Sequence, residues 1–246
     1  MSMSYDSVGQ PDITGSAQTR ADADGQASAS PGKLQFLETS RTPKQLQQEE
    51  RPLWTGLEDM LKIQKMGWVM RKAAGLANIR VELSISRENE SDPASALFMD
   101  IHESVSGGLS QTHEKRPMDW RVHSKTDAVL GELQIQAEFV PGVVGEGGKV
   151  WPRFEVQSNV KDEKLVKFLR GEIREDKSDS SWVVSGAEDV WVHVWVRNEK
   201  DKWAAEHIWG FEEINGKRYQ SRRVVSSNEK GESCVARFVY SADEKK

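Results

Sequence analysis

The sequence predicts a mainly-β chain in which a single antiparallel barrel follows a short helical segment, and three observations lead there. From residue 76 to residue 241 the chain falls into short candidate strands separated by polar turns. Helical spacing is confined to two stretches, 54–74 and 162–170. The first 45 residues hold Ser, Gly, Gln, Asp, Ala and Thr with almost no large apolar side chain, and such a segment cannot bury enough surface to offset its ordering entropy. Of the 246 residues, 1–45 are therefore expected as a disordered tail and 46–246 as one domain.

Taken in order, the first folded element is a helix over 54–74, with Leu57, Leu61 and Trp68 on one stripe and Met60, Ile63, Met70 and Ala74 beside it. Gly67 breaks it into two pieces and Gly75 is read as its stop. Strands are expected at 76–86, 96–106, 118–125, 131–140, 150–158, 189–197, 203–213, 217–226 and 232–241. A short surface helix at 162–170 turns Leu165, Val166, Phe168 and Leu169 inward. Asn215-Gly216 marks a two-residue hairpin of type I′. A meander of this length removes its exposed edges by closing into an up-and-down barrel, and a barrel of about eight strands holds one small ligand. The helices would plug one end.

Bulk properties narrow the function. The net charge is −5, with both signs interspersed, so the chain lacks the basic stripe of a nucleic-acid binder. No run approaches the roughly 18 apolar residues of a membrane span, and the N-terminus lacks both the apolar core of a secretory signal and the basic character of a presequence. The lone Cys234 excludes an internal disulfide framework and fits a reducing, cytoplasmic location; a small buried residue is the favoured reading of it. Nine Trp against three Tyr point to an aromatic pocket, with a Trp-rich core as the equal alternative.

The residues 189–211 focus that question. Val190, Val192, Val194 and Val196 form one face of a strand, and Trp191, His193 and Trp195 form the other. In the next strand Trp203, Ala205, His207, Trp209 and Phe211 share one parity. A strand apolar on both faces lies between two layers or walls a cavity, and buried indoles and imidazoles that need hydrogen-bond partners favour the cavity. A register pairing residues whose numbers sum to about 400 would set His193 opposite His207 and Trp191 opposite Trp209, gathering the rings on one concave surface. The other parity would place the valines opposite the second ring face.

Familiar catalytic signatures are missing: there is no P-loop, no GxGxxG after a strand, no HExxH, GxSxG or CxxC. His102, His113, His123, His193 and His207 would make a metal site only if the fold converged them, and that is the less favoured reading. One of Glu212 and Glu213 is expected to point inward and pair with Arg218, Arg222 or Arg223, fixing the barrel rather than doing chemistry. Asp119, Trp120 and His123 form a second polar cluster, in which Asp119 caps a turn or pairs with a basic neighbour.

Several blocks resemble a group of fungal lipocalin-like proteins to which pericyclases of secondary-metabolite pathways belong. They are KMGWVMRKAAGLA (65–77), SGGL (106–109), KRPMDWRVH (115–123) with LG (130–131), and above all WAAEHIWGFEEINGKRYQSRRVV (203–225) with ARFVY (236–240). The resemblance implies a calycin-type barrel around a central cavity. It also implies an intramolecular cycloaddition of Diels–Alder type on a linear polyketide- or peptide-derived polyene, which requires no nucleophile, cofactor or metal. On this reading Trp191, Trp195, Trp209 and Phe211, with Trp120 and His123, hold a hydrophobic substrate. His193 or His207 donates a hydrogen bond to its carbonyl, and Tyr219 and Arg223 are weaker alternatives. The competing expectation is a non-catalytic carrier of a hydrophobic small molecule; homodimerisation is left open.

Overall fold

A computed structural model describes residues 54–77, 79–105, 110–145, 148–158, 162–183 and 190–240. The expected disordered tail, the SGGL turn at 106–109 and the outer ends of the strands at 189 and 241 lie outside these residues.

After a two-residue strand β1 (Trp54–Thr55) come α1 (Leu57–Ile63) and α2 (Trp68–Leu76). Gly67 separates the helices as expected, whereas Gly75 is not a stop: it lies inside the last turn of α2. The strands that follow are β2 (Ile79–Arg87), β3 (Leu97–Val105), β4 (Ser110–Pro117), β5 (His123–Asp127), β6 (Gly131–Val144) and β7 (Val150–Pro152). Next come α3 (Glu163–Arg170), β8 (Val190–Asn198), β9 (Trp203–Ile214), β10 (Lys217–Asn228) and β11 (Ser233–Tyr240). Three expectations are corrected here. β4 was missed because Ser110–Pro117 carries polar side chains; the strand expected at 118–125 begins at His123; and the one expected at 150–158 ends at Pro152. Pro117 has no N–H to donate, and Trp120 in the turn beyond it has a φ of 57°, which together separate β4 from β5.

The mainly-β antiparallel class with N-terminal helices is what the structure shows. The larger sheet runs β1-β11-β10-β9-β8-β6-β5, with β7 paired to β6, and curls into a half-barrel. β2-β3-β4 form a second sheet, and among the described residues no ladder joins the two. Asn215 (φ 52°) and Gly216 (φ 74°) make the two-residue turn between β9 and β10, the left-handed pair that type I′ demands.

Each face of the large sheet has its own core. On the inner face Val192, Val194, Trp209, Val224 and Phe238 pack with Met60 and Leu61 of α1 and with Val81, Leu83, Met99 and Ile101 of the small sheet. On the outer face Trp191, Ile208 and Val225 pack with Val140, Trp182 and the α3 side chains Phe168 and Leu169. Asp162 starts α3 by accepting from Lys164 N at 2.9 Å, and Gly171 ends it in the left-handed region, at φ 79°. β8 is therefore sandwiched between two layers, the alternative that the side-chain chemistry had disfavoured. Full burial of each such side chain contributes about 1.5–3 kcal/mol.

The register settles which rings share a side. Val192 pairs with Trp209, His193 with Ile208 and Val194 with His207, so paired numbers sum to 401 rather than 400. The expected juxtapositions of His193 with His207 and of Trp191 with Trp209 do not form. Their cause is one residue of loop: Asn198 belongs to β8 and pairs with Trp203, its side chain accepting from Asp201 N at 2.7 Å and donating to Leu130 O at 2.7 Å. A shift of one residue reverses every side chain of a strand relative to its partner.

Candidate functional site

The inner face of the curl carries an aromatic wall with unpaired polar groups set into it. His207, Trp209 and Phe211 of β9 stand opposite Val224, Arg222 and Gln220 of β10, and Arg222 and Gln220 stand opposite Phe238 and Tyr240 of β11. The Trp209 and Tyr240 rings are stacked at 6.1 Å with 5° between planes, and Trp54 meets Phe238 edge-on at 5.0 Å. The Arg222 guanidinium lies between Trp209 (5.0 Å) and Phe238 (4.5 Å). His207 Nε2, Trp209 Nε1, Arg222 Nε and both amide atoms of Gln220 are covered and have no hydrogen-bond partner among the described residues.

The electrostatics of this face are distinctive. Burial, then the charges of Arg222, Arg116 and His193, push the His207 pKa well below the usual 6.5, so the ring is neutral near pH 7. A neutral imidazole has one N–H and one acceptor, and Nε2 donates in the tautomer that places the proton there. Arg116 of β4 donates to Glu114 Oε1 at 2.6 Å, and the same carboxylate takes the Lys125 ammonium.

The outer face holds the other expected site residues, each engaged with the protein. His193 is fully buried, with Nδ1 3.1 Å from Glu138 Oε1 and Nε2 2.9 Å from Glu206 Oε1. Burial alone would lower its pKa, but the hydrogen bonds and charges of Glu138 and Glu206 outweigh it and the net shift is upward. Glu206 also accepts from Gln157 N and Ser158 N, both at 2.9 Å, which ties the segment after β7 to the sheet. Trp120 stacks on the His193 ring at 4.5 Å and Phe154 lies at 4.7 Å. A cleft of about 700 Å³ runs past Glu138 and Phe154 on this side.

Trp191 is packed against Gly210 and Trp195 is buried opposite Glu206. Tyr219 is half-buried opposite Glu212. Arg223 is fully buried and donates to Glu212 Oε1 (3.0 Å), Phe168 O (2.9 Å), Ile173 O (2.6 Å) and Ser180 Oγ (2.8 Å), anchoring α3 and the following loop to the sheet. Glu212 is thus the buried acid of its pair, under the outer layer rather than in the interior of the curl, with Arg223 and Arg237 as its cations rather than Arg218 or Arg222. His123 pairs with Asp119 at 2.9 Å at the margin of the sheet, while Asp119 also accepts from Arg121 N. His102 and His113 stack at 4.0 Å on the outer side of the small sheet, so the five histidines are dispersed. Cys234 is a partly buried thiol whose pKa burial and Asp59 push up to about 11.

Of the expected residues, His207, Trp209 and Phe211 come together on the inner face, while Trp191, His193, Trp195, Tyr219 and Arg223 lie on the other. Sequence reasoning missed Arg222 and Gln220 in the interior and Glu138 and Glu206 around His193. A signal existed for the first two: polar residues at the positions of β10 whose parity matches Val224.

No protein-family model matches the sequence, and no curated protein matches it; the resemblance of its blocks to the fungal pericyclase group has no counterpart in either comparison. Among solved structures, As-p18, an extracellular fatty acid binding protein, is similar to this chain with a TM-score of 0.35 and 14% identity, over 85% of this chain and 96% of that one. No helix among the described residues is long and apolar enough to cross a membrane.

Proposed function

We propose that the protein takes a hydrophobic small molecule against the inner face of its curled sheet and accelerates an intramolecular [4+2] cycloaddition of a linear, carbonyl-bearing polyene. One observation carries the reading: four side chains on that face, His207, Trp209, Gln220 and Arg222, have covered polar atoms left unpaired among the described residues, beside Trp54, Phe238 and Tyr240. Buried polar groups are ordinarily satisfied, so unpaired donors in an aromatic surround suit an acceptor brought by a guest. A pericyclic step is served by such groups. The rings fold the flexible chain into a reactive conformer, and that ordering lowers the barrier by several kcal/mol. A fixed donor at the carbonyl stabilises the charge that develops there, and neutral His207, with its proton on Nε2, supplies one.

The test is incubation of the purified protein with linear polyenes bearing an activated carbonyl, followed by chiral chromatography of the product. Accelerated, stereoselective ring closure is expected, and His207→Phe or Trp209→Phe should slow it about 10²-fold, the usual effect of losing one such donor. Tight binding without turnover would replace catalysis by transport. Absence of binding would refute the site.

A further inference from the structure

Among the described residues Arg222 is a cation with no anion. It lies on the inner row of β10, its Nε covered and unpaired, its guanidinium held between the Trp209 and Phe238 rings. The neighbouring arginines behave differently. Arg223 and Arg237 share Glu212, and Arg116 shares Glu114 with Lys125. Among the described residues no carboxylate pairs with Arg222, a half-buried cation whose Nε is covered. The positive field is felt nearby: Arg222 and Arg116 are among the causes that depress the pKa of His207. Glu114 offers no compensation to the guest site, being already bound by its two cations.

Aromatic rings on the faces of a guanidinium leave its edge of N–H donors available, and that planar fork matches the two oxygens of a carboxylate. The Gln220 side chain, two residues along the same row, adds an unpaired amide donor. We infer that the molecule taken by the inner face carries a carboxylate, and that Arg222 is the residue that selects for it. This rests on the reading that the inner face holds a hydrophobic small molecule, and it narrows the class to apolar chains with an acidic end.

Fluorescence titration of the full chain with cis-parinaric acid and with its methyl ester separates the two ideas, since both probes carry the same conjugated polyene. At pH 7.5 the acid should bind the wild-type protein at least about tenfold more tightly than the ester, as expected for a charge-assisted hydrogen bond. Arg222→Met should collapse that ratio to about one, and Arg222→Lys, which keeps the charge but loses the planar fork and the stacking between rings, should retain only part of it. Equal binding of acid and ester to the wild-type protein, or a ratio that survives in Arg222→Met, would overturn the carboxylate preference while the inner site stands. Failure of both probes to bind would remove the inner site and the preference together.

Discussion

Glu212 keeps its charge at 2% side-chain exposure because two guanidiniums and a hydroxyl surround it. Burial raises the pKa of a carboxyl, but here Arg223, Arg237 and Ser221 overcome it and bring Glu212 from 4.5 to about 2. Because the folded state binds this proton less tightly than the unfolded chain, the resulting stability is present above about pH 4.5 and is lost as pH falls towards 2. Glu212→Gln strands the buried Arg223, leaves Arg237 with Glu175 alone, and should cost about 3–5 kcal/mol at pH 7. Urea denaturation of both proteins across pH 2–7 should show the gap closing as the acid limit is approached. That one of the adjacent glutamates is buried was legible from its place beside the Asn215-Gly216 turn, though the side of the sheet was not. Which arginine meets it was not, since 222 and 223 differ only in the face of the strand they occupy, and register alone decides that.

At the scale of elements, the alternation in β8 and β9 was readable and their relative parity was not. Both faces of β8 are apolar, so no polar side marked the outside, and the four residues between Asn198 and Trp203 were one position away from the loop the sequence suggested. β4 escaped notice for the opposite reason: seven of its eight residues are polar or charged, so only pairing with β3 reveals it as a strand. Helix α1 was readable from its apolar stripe, and α3 from an apolar stripe that Asp162 starts and Gly171 ends. On the outer side of β9, Gly210 is where the sheet meets two indoles: a Cβ there would stand 2.6 Å from the Trp191 ring and 2.8 Å from that of Trp182. Gly210→Ala should therefore lower stability by about 1–3 kcal/mol, measured as the unfolding midpoint, even though alanine suits a strand better than glycine. An unchanged midpoint would mean that the two rings have room to shift.

For the whole molecule, a sheet covered on both sides divides the work between its faces. On the outer side Arg223, Glu212 and the Glu138–His193–Glu206 chain are engaged with protein partners; on the inner side His207, Trp209, Gln220 and Arg222 keep atoms with no partner among the described residues. Stabilisation by a guest should then follow the inner residues alone: an acidic polyene at about a hundred times its dissociation constant should raise the unfolding free energy by about 2.7 kcal/mol. Substituting Arg223 should lower the baseline without changing that increment, whereas substituting Arg222 should shrink it, as calorimetry would show. The same partition sorts the indoles. Trp54 and Trp209 stand on one side of the sheet and Trp182 and Trp191 on the other, so the chain carries its own optical control. With the other indoles replaced, emission from the first pair should report occupancy, and emission from the second should hold steady until the fold itself gives way.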